Sequence, residues 1–164
     1  MRKLNYLVLF FVATFSFSCS SEDEVPKLVK KSVTIEVEMD GNYQDYLVTF
    51  SVHSMLSGTS TFVAPVLDQP TQLDWTQVIE QGNTYTLSFE PEMPTISASS
   101  SAPIHSLGLV FNGVHLGGDT DNTFVPLSAT VRVLADGEVY REYDYKALAP
   151  GGTSVPLAEE ITIE

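Results

Sequence analysis

One thiol, three imidazoles, 21 carboxylates and one indole are the side chains of this 164-residue chain best able to do chemistry, and their spacing limits what that chemistry is. Cys19 is the sole thiol, so the chain can form neither an internal disulfide nor a multi-thiolate metal site. His53, His105 and His115 stand too far apart for a local metal motif and read as surface or rim histidines. Gly117 to Asn122 sets oxygen-bearing side chains side by side. Asp119 and Asp121, with Asn122, form a weak calcium candidate that needs further oxygen ligands, whereas a polar turn built on glycine and Asx chemistry accounts for the same residues. Glycoside hydrolysis needs two carboxyl groups about 5 to 10 Å apart, a spacing that a chain so rich in acids meets by chance. The chain holds no Gly-x-Ser-x-Gly elbow, no His-Glu-x-x-His, no phosphate-binding glycine loop and no dinucleotide fingerprint. A non-enzyme with no cofactor is expected. Trp75, beside Asp74, is the aromatic best placed in a loop to stack on a sugar ring, with a buried anchor as the alternative.

Cys19 gains meaning from its surroundings. Arg2 and Lys3 precede a run from Tyr6 to Phe17 that is apolar apart from Thr14 and Ser16, and Ser18-Cys19 follows it. The run is shorter than the ~20 apolar residues of a membrane-spanning helix and fits a cleaved targeting segment. The pattern resembles a bacterial lipoprotein signal peptide. That resemblance implies removal of residues 1–18, diacylation of the Cys19 thiol and a third acyl chain on the new amino terminus. Two or more chains hold a protein stably on a bilayer where one does not. Glu22, Asp23 and Glu24 resemble the export signal of surface lipoproteins of the Bacteroidota. By that resemblance the protein sits on the bacterial outer membrane and faces the cell exterior, with a periplasm-facing location as the alternative. Residues 19–31 are charged and interrupted by Pro26, and read as a disordered acidic tether.

Loss of the leader removes two of the eight basic residues and none of the 21 acidic ones, leaving a formal charge of −15. A field of that sign repels nucleic acid, which is excluded as a partner, and repels anionic headgroups, so membrane attachment falls to the lipid anchor. A glycan, a peptide or an envelope protein remains as partner.

Residues 32–164 are written largely in period-two alternation. Val33, Ile35, Val37 and Met39 alternate with polar residues, as do Tyr46, Val48, Phe50 and Val52. The Asp40-Gly41-Asn42 turn between them predicts a hairpin with Met39 opposite Tyr46 and Ile35 opposite Phe50. Asn112-Gly113 predicts a second hairpin with a type I′ turn, setting Phe111 against Val114 and Leu109 against Leu116, with His115 outward beside Val110. Asp136-Gly137 predicts a third. An odd-length loop there brings Arg132 near Glu142 and lines up Val131, Val133, Val139, Tyr143 and Tyr145 on one face.

Phe62 to Leu67 reads as an edge strand broken by Pro65, Tyr85 to Phe89 as a strand, and Ile161 to Ile163 as a terminal strand. Leu73 to Glu80 has room for one helical turn, and Ser97 to Pro103 reads as a flexible serine-rich loop. Together these elements predict an all-β single domain, an antiparallel β-sandwich of immunoglobulin-like or related Greek-key type, with a small β-barrel as the alternative. The expected function is a non-catalytic envelope module for recognition. An assembly subunit that pairs through an edge strand is the second reading, and an enzyme is disfavoured.

If the acidic run directs export, alanines at Glu22, Asp23 and Glu24 will move the protein from a protease-accessible pool on intact cells to a shielded one. Unchanged protease accessibility would leave those residues as tether only.

Overall fold

The computed structural model describes residues 28–78, 83–117, 125–147 and 154–164. Ten strands run through them in chain order: β1 (Val33–Asp40), β2 (Tyr46–Leu56), β3 (Pro65–Gln69), β4 (Thr76–Val78), β5 (Thr84–Phe89), β6 (Thr95–Ser100), β7 (Ser106–His115), β8 (Ser128–Ala135), β9 (Glu138–Lys146) and β10 (Leu157–Thr162). They form two five-stranded antiparallel sheets, ordered β3-β6-β1-β8-β9 and β10-β7-β2-β5-β4. The sheets stack as a β-sandwich and do not close into a barrel. Among the described elements, only β4–β5 and β8–β9 are consecutive strands that also pair.

The alternation in β1 and β2 is real, but the hairpin is not. Val33, Ile35, Val37 and Met39 are buried from one sheet, and Tyr46, Val48, Phe50 and Val52 from the other. Alternation fixes which side chains point inward and leaves the hydrogen-bonding partner open. Here β1 pairs with β6 and β8, and β2 with β5 and β7, so the two apolar faces belong to opposite sheets. The connection is held as an arch. Gly41 adopts φ +79°, Asn42 N–H donates to Val125 O at 2.9 Å, and Val125 N–H donates to Asn42 Oδ1 at 3.0 Å.

Asn112-Gly113 does not turn either; it lies within β7, opposite Thr49 and Val48 of β2. Glycine is needed there for space. A Cβ at Gly113 would stand 2.4 Å from Leu127 Cδ2 and 3.3 Å from Tyr46 Cδ1. With the strand unbroken, Leu107, Leu109, Phe111 and Gly113 face the core while Val114 and Leu116 are exposed. His115 falls on the core side and meets the Tyr46 ring edge-on at 5.2 Å, so its expected outward place beside Val110 is corrected.

The third hairpin forms, and it reaches the expected pairing by a different route. Its loop has two residues, Asp136 (φ +52°) and Gly137 (φ +85°), and the register then slips by one between Val133 and Leu134, leaving Tyr140 as a β-bulge. The bulge supplies the odd residue that puts Arg132 opposite Glu142. Val139 lies before it and points outward, away from the buried face shared by Val131, Val133 and Tyr145.

Two further readings change. Residues 97–100 of the serine-rich stretch belong to β6, an inner strand with Ile96 and Ala98 buried and Ser97 and Ser99 on its outward side. Thr76–Val78, where a helical turn was expected, are β4. Strand preference depends on packing against neighbouring strands more than on local sequence, so a serine-rich segment becomes a strand once its partners are present.

Both inner faces share one core cluster, in which Phe50 and Phe111 are fully buried. Each such side chain contributes about 1.5–3 kcal/mol by leaving water. The sheets are also tied by polar bonds: Tyr145 on β9 meets Phe111 edge-on at 5.0 Å, and its hydroxyl accepts the Gly113 N–H at 2.9 Å.

Because Leu127 occupies the space where a Cβ would go, Gly113→Ala is expected to cost about 1–3 kcal/mol in denaturant unfolding. Adding Leu127→Ala should make the double variant less destabilised than the sum of the two single changes. Additive losses would contradict the close approach.

Candidate functional site

The outward face of the β3-β6-β1-β8-β9 sheet gathers most of the polar chemistry of the described domain. Alternation turns Glu36, Glu38 and Asp40 outward on β1, Thr130 and Arg132 on β8, and Glu142, Asp144 and Lys146 on β9. Register then lays them in transverse rows: Ser97, Glu36, Arg132 and Glu142; Thr95, Glu38, Thr130 and Asp144; Asp40, Ser128 and Lys146. Arg132 organises the first two rows. Its Nε donates to Glu142 Oε2 at 2.7 Å and its Nη1 to Glu38 Oε2 at 3.2 Å. Hydrogen bonds to Glu142 first and Glu38 second raise the guanidinium pKa further, so the charge is permanent.

Over the second and third rows lies an open cleft of about 800 Å³, with Tyr43 and Pro94 at its rim. A second depression of about 480 Å³ adjoins it, sharing Glu38 and Thr95 and extending over Arg132 and Asp68, so that the two make a shallow trough along the sheet face. Asp40, Asp144 and Lys146 form no ion pair among the described residues and are exposed. Carboxylates accept from hydroxyl groups, an ammonium donates to them, and Ser128 and Thr130 can do either. Such a lining suits a polyhydroxylated ligand and repels an anion. Nothing in the sequence points to this site, because Asp40 and Asp144 are far apart in the chain and are brought onto one face only by their pairing with β8.

The larger cleft has a fixed place relative to residues 28–32, where the described chain enters the sandwich. Lys31 pairs with Ile104 and Ser32 with the Asp136 turn, both at the Val33 end of β1, whereas the larger cleft lies at its Asp40 end. The length of β1 separates them, about 20–25 Å at ~3.3 Å per residue.

The residues singled out by sequence fall elsewhere. Trp75 sits in the loop before β4, half-buried, with its ring tilted on Phe50 at 5.7 Å. Its Nε1 is buried and has no acceptor among the described residues, and the ring packs against the core outside the trough. Cys19, Glu22, Asp23 and Glu24 lie outside the described residues, as do Asp119, Asp121 and Asn122. The three histidines remain apart. His105 Nε2 lies 3.3 Å from Gly58 O, and His115 Nδ1 accepts from Gly117 N–H at 3.2 Å. His53 covers Gly108, and its Nδ1 is 3.3 Å from Ser54 Oγ and 3.5 Å from Glu160 Oε1. A serine–histidine–carboxylate relay needs the two partners on opposite ring nitrogens, and here both meet Nδ1.

The outward face of the other sheet contrasts with the trough. One row across it, Thr76, Thr86, Ser51, Val110 and Ala158, holds no ionisable group, and the Ser51 and Thr86 hydroxyls are 3.0 Å apart.

No protein-family model and no curated protein matches the sequence. Solved structures do share the fold. A DUF4425 family protein from Bacteroides ovatus superposes with a TM-score of 0.56 at 11% identity, covering 81% of this chain and 95% of that one. A domain of unknown function, DUF4425, from Bacteroides vulgatus gives a TM-score of 0.55 at 13% identity, covering 82% and 97%.

Two tyrosines of the fold titrate abnormally. Burial raises the pKa of Tyr46, with Tyr145 and Asp45 adding to it, and burial followed by the charge of Glu159 raises that of Tyr143. A folded-state value above the unfolded 10.0 leaves stability intact below pH 10 and removes it as pH rises through the folded value. Stability measured by urea unfolding should therefore stay level to about pH 10 and then fall, with a shallower fall in Tyr46→Phe. An identical alkaline slope in wild type and variant would contradict this.

Proposed function

We propose that this chain is a lipid-anchored, non-catalytic module of the bacterial outer membrane that displays the Asp40–Asp144–Lys146 cleft for recognition of envelope or environmental glycans. The observation that carries the reading is the Ser18-Cys19 junction after a short apolar segment, followed by the acidic run. Geometry supports it from the other side. An anchor at Cys19 leads into the Val33 end of the sandwich, and the trough opens at the far end, where a surface module meets its ligand. Carboxylates, hydroxyls and one ammonium in a shallow cleft match the hydrogen-bonding pattern of a sugar. Peptide ligands with basic side chains share part of that complementarity.

Assembly through an edge strand is less well supported. β3 starts at Pro65 and breaks register after Leu67, β4 has three residues, β9 is bulged and charged, and β10 carries Glu159 and Glu160. These are the devices by which sheets block edge pairing.

Two measurements test the reading. Wild type will partition into detergent and Cys19→Ser will not; equal partitioning would reject the anchor. On an array of bacterial and host glycans, the mature lipoprotein should bind a subset, and Asp40→Asn with Asp144→Asn should weaken that binding by about tenfold or more, as expected for two lost charge-assisted hydrogen bonds. Binding unaffected by both substitutions would remove the cleft from the account.

A further inference from the structure

We infer that the Val33 end of the sandwich is a membrane-docking surface, seated on the lipid headgroups of the bilayer that holds the anchor. The inference rests on the lipid-anchored reading and goes beyond it, since an acylated tether alone would leave the domain free to tumble. Several large apolar side chains stand exposed at this end: Leu28 at 43%, Val29 at 46%, Phe62 at 48% and Val139 at 59%. Backbone bonds place them together. Phe62 bridges to Leu56, His105 N–H donates to Leu56 O, Lys31 pairs with Ile104, and Val139 follows the turn whose Asp136 N–H donates to Ser32 O.

The same end carries three of the six basic residues that remain after the leader, Lys30, Lys31 and Arg141. Two of them flank one ring: the Arg141 guanidinium lies 4.3 Å and the Lys31 ammonium 5.9 Å from the centre of Tyr140. The Tyr140 hydroxyl in turn donates to Thr162 O at 2.9 Å, which fixes the ring between β9 and β10. Cations paired with exposed aromatic and aliphatic side chains are the composition that sits at a headgroup boundary. Asp136, Glu138 and Glu164 share this end and offset the basic charge. Apolar contact therefore drives the docking, and the cations orient it against lipid phosphates. The formal −15 does not forbid it, because ionic screening over about 8 Å hides the distant acids of the Asp40 end from the bilayer.

Tether length selects the occupant. Eight residues separate Cys19 from Leu28, and the nine steps between them, at ~3.3–3.6 Å each, span at most about 32 Å. The Val33 end is thus always within reach of the anchoring bilayer. Val114, Leu116 and Val125 are also exposed, but they lie at the Asp40 end, away from Lys30, Lys31 and Arg141.

Acylation of Cys19 leaves any introduced cysteine as the one free thiol, which gives a direct test. Lipidated Phe62→Cys, Val139→Cys and Val125→Cys, each labelled with an environment-sensitive fluorophore, are reconstituted in phosphatidylethanolamine–phosphatidylglycerol vesicles that contain a nitroxide lipid. Expected are blue-shifted emission and nitroxide quenching at 62 and 139, neither at 125, and loss of both when Lys30, Lys31 and Arg141 are changed to Glu. Protein that floats with the vesicles yet stays unquenched at 62 and 139 would overturn the docking and keep the anchor. Protein that does not float would overturn both.

Discussion

The hydroxyl of Tyr145 crosses from one sheet to the other, and the arrangement of the sandwich depends on that crossing. β10 runs along β7 only as far as Phe111, so beyond it the Gly113 N–H lacks a strand partner on that side. Tyr145 supplies the acceptor at 2.9 Å, and its hydroxyl also contacts Ser154 Oγ at 3.0 Å and Asn112 Oδ1 at 3.3 Å. A buried N–H left unpaired costs about 1–3 kcal/mol, a large share of a typical domain's stability. Gly113 permits the contact by leaving room for Leu127 and Tyr46. Tyr140 makes a parallel tie five residues earlier, from β9 to the end of β10. Two tyrosines on one edge strand thus close the side of the sandwich where the sheets would otherwise part.

Period-two alternation made the strands and their inward faces legible, because burying one face of a strand writes itself into consecutive residues. Val33 to Met39 and Tyr46 to Val52 were readable for this reason. Partner choice was not, since it is decided by residues far away in the chain: Gly41 is held by the segment at 125–126, and Asn112-Gly113 by Leu127, Tyr145 and Ser154. An Asn-Gly pair carries the same letters whether it turns or lies flat under a neighbour. Asp136-Gly137 does turn, and the electrostatic preference of Arg132 for Glu142 was sound, though a bulge at Tyr140 achieves it. Serines of β6 hid a strand because small side chains look like a linker when the neighbours that bury Ile96 and Ala98 are not in view.

The candidate cleft was illegible for a related reason. Glu38, Asp40, Asp144 and Lys146 are ordinary charged residues in sequence, and only the β1-β8-β9 register assembles them. Their assembly gives the domain a direction. Residues 28–32 lead into one end, which carries Lys30, Lys31 and Arg141; the other carries Asp40, Asp144 and the cleft. The proposed anchored module would use that polarity, with contact at its base and recognition at its far end.

Amide hydrogen exchange at Gly113 tests the cross-sheet tie most directly. In the wild type its exchange should be as slow as that of the core strands β1 and β8. In Tyr145→Phe it should accelerate selectively, while the amides of Val37 and Val131 stay protected. Fast exchange at Gly113 in the wild type, or protection unchanged by Tyr145→Phe, would contradict the account.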